Sequence, residues 1–211
     1  MYKKFFKRFF DFTASLTALL ILSPLFVVIS IVLLIVNRGS PFFLQERPGY
    51  KGKLFRVIKF KSMIDKYDEE GKPLPDIHRI TRAGRFLRTT SLDELPQLLN
   101  VLKGDMSFIG PRPLLVRYLP YYTPREFKRH EVRPGITGLA QVSGRNFLEW
   151  PERLQCDIDY VENLSLKLDV QIFFKTILKV LKRSDIKVIP NGIPFDRYRK
   201  MQQEAAGILQ N

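Results

Sequence analysis

Two adjacent carboxylates, Asp93 and Glu94, are the residues of this chain best suited to chemistry. They lie just before Pro96 and an apolar run, in a protein whose formal net charge is +14. Because proline lacks a backbone N–H and fits the first turn of a helix, a helix is predicted to begin near residues 92 to 95. Both carboxylates would then lie at a helix N-terminus, where free N–H groups favour carboxylates and phosphates.

A capping box is the alternative interpretation of the same residues. Ser91 would cap the helix, and Glu94 would accept a hydrogen bond from the Ser91 N–H. Pro96 would then occupy the fifth helical position, where its ring clashes with the preceding turn. A helix that begins nearer Glu94 avoids this clash and leaves the pair free for catalysis. The residues alone leave both interpretations open.

The composition indicates a folded protein with an anionic partner. The chain has 211 residues, 45% of them hydrophobic, with 35 Lys and Arg against 21 Asp and Glu. Such an excess of basic residues is typical of proteins that bind nucleic acid, anionic membrane surfaces or phosphorylated substrates. The single cysteine, Cys156, excludes an internal disulfide framework and a cysteine-rich zinc site, which indicates a reducing compartment.

A long apolar segment near the N-terminus predicts a membrane helix. No charged residue occurs from Phe12 to Val36, and a helix of this length extends roughly 37 Å, enough for a hydrocarbon core of about 30 Å. Pro24 follows Ser23 near its middle, where proline kinks or breaks a helix and a serine hydroxyl can satisfy the freed carbonyl. Basic residues flank both ends, and if both flanks obey the positive-inside tendency the segment enters and leaves on one side as a re-entrant helix. A kinked single span remains the alternative.

The segments that follow predict a helix-rich α+β domain. Residues 42–60 show the alternation and the central glycine-containing turn of a β-hairpin. Arginines then recur at every third residue up to the carboxylate pair, as expected for the basic face of a helix, at Arg79, Arg82, Arg85 and Arg88. That face is either solvated or an anion-binding surface.

Two later segments are candidates for phosphate binding. The motif Gly110-Pro111-Arg112-Pro113 holds Arg112 in a rigid turn, since each proline fixes its own φ and keeps the preceding residue extended. A rigid arginine suits bidentate phosphate binding, although an ordinary surface turn explains the motif as well. The glycine-rich stretch 133–146 contains Arg145 and offers backbone amides, but no Walker-type loop or dinucleotide fingerprint occurs in the sequence.

Apolar residues at intervals of three and four between Val170 and Leu181 predict an amphipathic helix whose other faces are basic. Such a helix is suited to lying on anionic lipid, and packing on the protein core is the competing explanation. The tail that follows contains a short helical pattern and no candidate chemistry.

Six motifs in order resemble the monotopic phosphoglycosyl transferases, also called bacterial sugar transferases. The resemblance covers roughly residues 1 to 188 and is strongest to the small single-domain enzymes that initiate bacterial glycan assembly, such as that of N-linked protein glycosylation. Ser62 stands where threonine is expected in the closest relatives, and the tail beyond Lys187 departs from the pattern. The motifs are Ser23-Pro24, Gln45-x-Arg47-Pro48-Gly49, Lys59-Phe60-Lys61-Ser62-Met63, Ser91 through Gln97, Gly110-Pro111-Arg112-Pro113, and Arg133 through Asn146.

The resemblance implies a three-part organisation. Residues 1–38 would form a re-entrant membrane helix broken at Ser23-Pro24, and residues 39–188 a compact cytosolic catalytic domain with a small β-hairpin and amphipathic interfacial helices. Residues 189–211 would form a C-terminal tail. The protein would then be monotopic, on the cytoplasmic face of the bacterial inner membrane, in contact with anionic phospholipid and with no nucleic-acid partner.

The resemblance also implies a reaction and the residues that perform it. A phosphosugar, by expectation that of an N-acetylated amino sugar, would pass from a UDP-sugar to polyprenyl (undecaprenyl) phosphate with release of UMP. Asp93 would be the nucleophile and form a covalent intermediate, while Glu94 would help to bind Mg²⁺. The residues expected to contact phosphate or nucleotide are Lys59, Arg88, Arg112 and Arg145.

Two other classes of protein compete with this interpretation. A membrane-tethered nucleic-acid or lipid-binding module would use the positive charge without needing the carboxylate pair, and its affinity would fall steeply with salt. A phosphotransferase of the polytopic class would need several spanning helices, whereas the sequence contains one apolar run long enough to span.

Overall fold

The computed structural model describes residues 1–144, 148–182 and 192–205. A long N-terminal helix leads into an antiparallel hairpin, a series of short helices, a small parallel sheet and two longer helices, so the protein is a helix-rich α+β fold as predicted. The described helices are α1 (Lys7–Asn37), α2 (Asp76–Arg79), α3 (Arg82–Thr90), α4 (Gln97–Lys103), α5 (Pro124–Phe127), α6 (Leu139–Ser143), α7 (Trp150–Glu162), α8 (Leu166–Lys182) and α9 (Phe195–Ala205). The described strands are β1 (Phe42–Pro48), β2 (Leu54–Phe60), β3 (Ser107–Ile109) and β4 (Gly135–Thr137).

Helix α1 is, in the described part of the chain, the helix long and apolar enough to cross a membrane. Pro24 lies inside it and the helix is continuous there, so the break predicted at Ser23-Pro24 is not seen as an interruption. Pro24 has no N–H to donate to the Leu20 carbonyl, and the Ser23 hydroxyl donates to that carbonyl at 2.8 Å instead. The predicted compensation by serine is confirmed, and the re-entrant path stays a prediction.

Strands β1 and β2 form the predicted hairpin. They pair antiparallel with Phe42 opposite Phe60 and Phe43 opposite Lys59. Since side chains alternate between the two faces of a strand, residues 43, 45 and 47 share one face with Lys59. This face is the one that turns toward the carboxylate pair.

The base of the hairpin is packed against the C-terminal half of α1. Phe42 stacks on Phe60, with ring centroids 5.7 Å apart, and both rings contact Phe26. Ile29 and Leu33 are buried in the same cluster. The hairpin is therefore fixed to the membrane helix through aromatic and aliphatic burial.

The basic segment before the carboxylates forms helix α3. Thr81 caps it by accepting a hydrogen bond from the Gly84 N–H at 2.9 Å. A Cβ on Gly84 would lie 1.8 Å from the Ser62 carbonyl oxygen, so only glycine permits this close approach to the chain that leaves β2. Arg79 lies apart from α3, in the short helix α2.

The carboxylate pair lies on a separate 3₁₀ turn, Leu92–Glu94, and α4 begins only at Gln97 with Pro96 as its N-cap. The predicted helix start near residues 92 to 95 was therefore too early. Ser91 ends α3 in the left-handed conformation, with φ of 58°, instead of the extended conformation of an N-cap, and the structure shows no capping hydrogen bond from its side chain. The capping-box interpretation is wrong.

The parallel strands β3 and β4 carry the Gly110-Pro111-Arg112-Pro113 turn. Ile109 pairs with Thr137, and the Gly110 N–H donates to the Thr137 carbonyl at 2.9 Å. A Cβ on Gly110 would lie 2.5 Å from the Arg133 carbonyl oxygen, so the turn begins where two chain segments are in close contact. The prediction that Arg112 extends from a fixed, non-helical turn is confirmed.

Helix α8 has the predicted amphipathic character, and most of its apolar face is not covered by protein. Ile172 is buried, whereas the six apolar residues that define the predicted pattern are all exposed: Val170, Phe173, Phe174, Ile177, Leu178 and Leu181. Packing on the core therefore explains little of this face. Contiguous exposed apolar area of this kind is typical of a surface that meets lipid or another protein.

Candidate active site

The structure brings together five of the predicted site residues from four different segments. Lys59 lies near the end of β2, Arg88 on α3, the pair Asp93 and Glu94 on the 3₁₀ turn, and Arg112 on the turn after β3. These four segments are far apart in sequence, and their meeting point is set by the packing of α3 and the hairpin described above. The result is one cluster of two carboxylates and three cations.

Glu94 is held between two of those cations. Its Oε1 accepts hydrogen bonds from Lys59 Nζ at 2.8 Å and from Arg112 Nη2 at 2.5 Å, and its Oε2 lies 3.4 Å from Arg112 Nη1. The Glu94 side chain is only 17% exposed. Burial by itself raises the pKa of Glu94, but the charges of Arg112 and Lys59 and their hydrogen bonds outweigh it and hold that pKa well below its ordinary value. Glu94 is therefore ionised at neutral pH.

Asp93 differs from its neighbour, since within the described residues no hydrogen bond or ion pair to its carboxylate is found. Burial raises the pKa of Asp93 to about 6, and the negative charge of Glu94 adds to the rise. The charges of three cations of the cluster lower the pKa of Asp93 without pairing with it directly, and these are Lys59, Arg112 and Arg88. The carboxylate is thus open to an incoming group in a positively charged setting.

Arg88 is oriented by the segment that leaves β2. Its Nε donates to the Ser62 hydroxyl at 2.9 Å, and Ser62 is buried. The glycine at position 84 allows α3 to lie against this segment, so the Arg88 contact depends on the close approach at Gly84. The sequence has Ser62 where threonine is expected in the closest relatives. Both residues carry a hydroxyl that can accept this hydrogen bond.

The position of Arg112 depends on a buried ion pair that sequence analysis missed. Arg129 is 3% exposed and donates from Nε and Nη2 to Asp157 Oδ2, at 3.0 and 2.7 Å, and from Nη2 to the Arg112 carbonyl at 2.7 Å. Arg129 stands in a basic stretch whose sequence is equally compatible with an exposed surface, so only the tertiary structure identifies it as buried. Because it bonds the main chain of Arg112, it holds the turn that presents that side chain.

Three predicted site residues are not part of the described cluster. Arg145 lies outside the residues that the structure describes. Ser23 and Pro24 belong to α1, and among the described residues no contact joins them to the carboxylate pair. Their predicted role concerns the path of the membrane helix and not the chemistry.

Among the described residues, no group of three or more His, Cys, Asp or Glu side chains is placed to hold a metal ion. The donor set of the cluster is nevertheless compatible with Mg²⁺, because this ion usually keeps several waters and takes one or two carboxylates together with substrate phosphates. The Asp93 carboxylate is open to such an ion. Glu94, the predicted ligand, has its oxygens engaged by Lys59 and Arg112.

Comparison with known proteins identifies the family. A model of the bacterial sugar transferase family matches residues 2–183, which is most of the chain. The chain belongs to the bacterial sugar transferase family. It is a transferase of the phosphoglycosyl transferase class, and the resemblance of the six motifs is confirmed at the level of the family.

Three curated relatives show what members of the family are called. The chain is 49% identical to an uncharacterized sugar transferase, EpsL, of Bacillus subtilis, over 91% of this chain and 95% of the relative. It is 41% identical to the undecaprenyl-phosphate galactose phosphotransferase of Salmonella typhimurium, over 85% of this chain. It is 40% identical to the UDP-glucose:undecaprenyl-phosphate glucose-1-phosphate transferase of Klebsiella pneumoniae, over 82% of this chain. The chain spans about two fifths of the length of these last two relatives, 41% and 40%.

Proposed function

We propose that this protein transfers a sugar phosphate from a UDP-sugar to polyprenyl phosphate, with release of UMP, through a covalent intermediate on Asp93. The observation that carries the proposal is the unequal pairing of two adjacent carboxylates. Glu94 is held by two cations, whereas Asp93 is left open beside them. A phosphodiester carries its own negative charge, so a carboxylate can attack it only where nearby positive groups neutralise that charge.

The reaction has two balanced steps. A carboxylate oxygen of Asp93 attacks the β-phosphorus of the UDP-sugar, the bond from that phosphorus to the bridging oxygen breaks, and UMP leaves with the electron pair. A phosphate oxygen of the lipid acceptor then attacks the same phosphorus, and the bond to Asp93 breaks to regenerate the carboxylate. Because the two substrates react in turn, one site serves a soluble donor and a lipid acceptor.

The cationic residues would act on the phosphates and not as acids or bases. Arg112 and Lys59 fix the Glu94 carboxylate, and this network holds their own side chains next to Asp93. Mg²⁺, when bound, would add positive charge that stabilises the phosphate oxygens. Asp93 is the carboxylate open to the ion, and Glu94 would bind it through Oε2, whose one contact is Arg112 Nη1 at 3.4 Å among the described residues. Chelation with EDTA is expected to stop adduct formation and added Mg²⁺ to restore it.

The membrane arrangement is part of the proposal. Both ends of α1 pack on the same domain, through Lys7 at one end and Leu33 at the other, while Leu20 and Ile21 in the middle are exposed. The packing of both ends on one domain supports a re-entrant path with both ends on the cytoplasmic side of the bacterial inner membrane. The exposed apolar face of α8 would lie on the same lipid surface.

Intact-protein mass spectrometry tests the chemistry. The detergent-solubilised protein is incubated with Mg²⁺ and one UDP-sugar at a time, without acceptor. The panel contains UDP-glucose, UDP-galactose and UDP-linked N-acetylated amino sugars, since we predict an amino sugar whereas two relatives are named for glucose and galactose. A mass increase equal to one sugar phosphate, together with released UMP, is expected with one donor.

Two variants make the test specific. Asp93→Asn should form no adduct, whereas the matched control Asp65→Asn, an exposed carboxylate on a surface loop, should form as much as the unmodified protein. UMP release only after addition of polyprenyl phosphate would replace the covalent route by direct transfer. No UMP under either condition would reject the proposed function and favour the binding-module interpretation.

A further inference from the structure

A small cleft of about 100 Å³ opens beside the carboxylate pair, between the hairpin, the start of α4 and the turn that carries Arg112. Residues 43, 45 and 47 of β1 line it together with Lys59, because the strand register places all four on one face. Gln97 and Leu114 line the opposite side. The cleft thus shares Lys59 and Arg112 with the catalytic cluster and adds residues that have no role in it.

Arg47 is the residue of this cleft whose charge is not matched. Its guanidinium donates to the neutral Gln45 Oε1 at 2.5 Å, and no ion pair with Arg47 occurs in the part of the chain that the structure describes. Lys59 and Arg112 both pair directly with Glu94. Burial, with the nearby charge of Arg112, lowers the pKa of Arg47 to about 10, so the group is still protonated at neutral pH. A fixed, half-buried cation without a counter-charge is suited to bind an anion.

The backbone that carries Arg47 is rigid. Arg47 pairs with Phe55 in the hairpin, and Pro48 and Gly49 behind it are buried. The Gly49 N–H donates to the Lys53 carbonyl at 2.8 Å, which closes the hairpin loop. The guanidinium therefore extends from a fixed strand end, as a preorganised binding group requires.

The cleft has an apolar end as well as a cationic end. Phe43, which is 44% exposed, lines it four residues before Arg47, roughly 13 Å along the strand. Phe43 follows Phe42, which packs on Phe26 of α1, so this end is the one nearest the membrane helix. Leu114 provides a second apolar wall. A ligand that fits both ends carries a phosphate on an apolar chain.

The size of the cleft points in the same direction. Its volume is about that of three water molecules and well below the roughly 300 to 1,000 Å³ of sites that enclose a drug-sized ligand. A phosphate group fits such a space.

We propose that this cleft binds the phosphate of the lipid acceptor, with Arg47 as its cationic contact and with Phe43 and Leu114 against the first part of the apolar chain. The inference rests on the two-step function proposed above. It assigns a role to the Gln45-x-Arg47-Pro48-Gly49 motif, which the chemistry at Asp93 does not use. Arg47 is a binding residue of the second step and has no part in the first.

The two steps are measured separately in Arg47→Gln. Adduct formation with the UDP-sugar and Mg²⁺, without acceptor, is followed by mass spectrometry. The adduct is then mixed with polyprenyl phosphate at several concentrations, and its decay gives the KM for the acceptor. We expect adduct formation within about twofold of the unmodified protein and an acceptor KM raised about tenfold or more, as for loss of one charge-assisted hydrogen bond.

Arg56→Gln is the matched control, because Arg56 is an exposed arginine on the opposite face of the same hairpin, beside Glu46. It should change neither step. Arg47→Lys keeps the charge and should recover part of the acceptor affinity. A second arm replaces Phe43 by Ala and compares long with short isoprenyl phosphates, since loss of an apolar contact should reduce the preference for the longer chain.

The outcomes distinguish a failure of this inference from a failure of the proposed function on which it rests. If Arg47→Gln slows adduct formation as much as acceptor transfer, Arg47 binds the donor or supports the fold, and the acceptor site is rejected. Unchanged kinetics in both steps would also reject it. If the unmodified protein forms neither adduct nor UMP, the proposed function has failed and the cleft assignment falls with it.

Discussion

Two clusters of charged residues in this protein differ in whether their buried carboxylates have direct partners. Where α1 begins, the buried Asp169 of α8 accepts hydrogen bonds from Tyr2 and Lys7 on one oxygen, at 2.5 and 2.7 Å, and its other oxygen lies 2.8 Å from the Tyr160 hydroxyl. Lys7 is the direct ion-pair partner of Asp169, and each Asp169 oxygen has a hydrogen-bond partner. In the cluster around Asp93, three cations surround two carboxylates, and one of these carboxylates is unpaired within the described structure.

The difference indicates what each cluster does. The closed cluster at Asp169 joins α1, α7 and α8 and leaves no polar atom for a ligand, so its role is to hold the membrane helix on the domain. The open cluster keeps a buried carboxylate at a raised pKa and an excess of positive charge. Such an arrangement costs stability and persists where it serves binding or catalysis.

The largest expected effects are those of two Asp→Asn variants, one in each cluster, which should affect activity and stability in opposite ways. Asp93→Asn should reduce adduct formation by at least about 10³-fold while leaving the protein as stable as before or more so, because it removes an unpaired buried charge. Asp169→Asn should lower stability by about 3 kcal/mol, since Lys7 then lies buried without its direct ion-pair partner. Its folded fraction should still form adduct.

Thermal melting in detergent and adduct mass spectrometry measure both properties on the same samples. The comparison fails if Asp93→Asn melts well below the unmodified protein, or if folded Asp169→Asn forms no adduct.

Glu94→Gln is expected to have the next largest effect, about 10²-fold on adduct formation, because Lys59 and Arg112 lose the group that fixes them. Freed of Glu94, these cations would pair with Asp93. Loss of the negative charge of Glu94 also removes one cause of the raised pKa of Asp93, so the pH midpoint should move downward. A pH profile of adduct formation in this variant checks the direction of the shift, and an upward shift would contradict it.

The pH dependence of the unmodified protein follows from the pKa of Asp93, which is about 6. The nucleophile must be ionised, so adduct formation should rise with pH through about 6 and fall about tenfold for each unit below it. Single-turnover rates of adduct formation at constant ionic strength, from about pH 5 to about pH 8, measure this dependence on both sides of the midpoint. A rate independent of pH over this range would show that Asp93 is already ionised or is not the nucleophile.

The smallest effect is expected at Ser62. Ser62→Ala removes the hydroxyl that accepts from Arg88 Nε, which should lower adduct formation about fivefold, the equivalent of about 1 kcal/mol for one hydrogen bond. Ser62→Thr keeps the hydroxyl and should retain most of the activity. If the alanine and threonine variants behave alike, the hydroxyl is not what positions Arg88.

Much of the scaffold was predictable because local rules decide it. The hairpin over residues 42–60, the basic helix before the carboxylates and the amphipathic helix near the C-terminus all follow from periodicity and turn residues, and the structure confirms them. The helix start at the carboxylate pair was placed too early, because the left-handed conformation of Ser91 inserts a 3₁₀ turn that the proline spacing does not reveal.

The sequence by itself determined the kinds of groups available: two adjacent carboxylates, an excess of basic residues, a long apolar helix with Ser23 before Pro24, and six ordered motifs. Through the family resemblance of those motifs it also singled out Lys59, Arg88, Arg112 and Arg145 as expected contacts to phosphate or nucleotide. Such features are local, and they persist in whatever fold the chain adopts.

Only the tertiary structure decided which charged side chains pair with one another. Among the residues that the structure describes, Glu94 is paired and Asp93 is not, and Arg47 has no counter-charge in the cleft. Arg129 is buried against Asp157 and holds the Arg112 carbonyl. The physical reason is that pairing and desolvation depend on distances between segments far apart in the chain, and these distances are set by packing and not by spacing in the sequence.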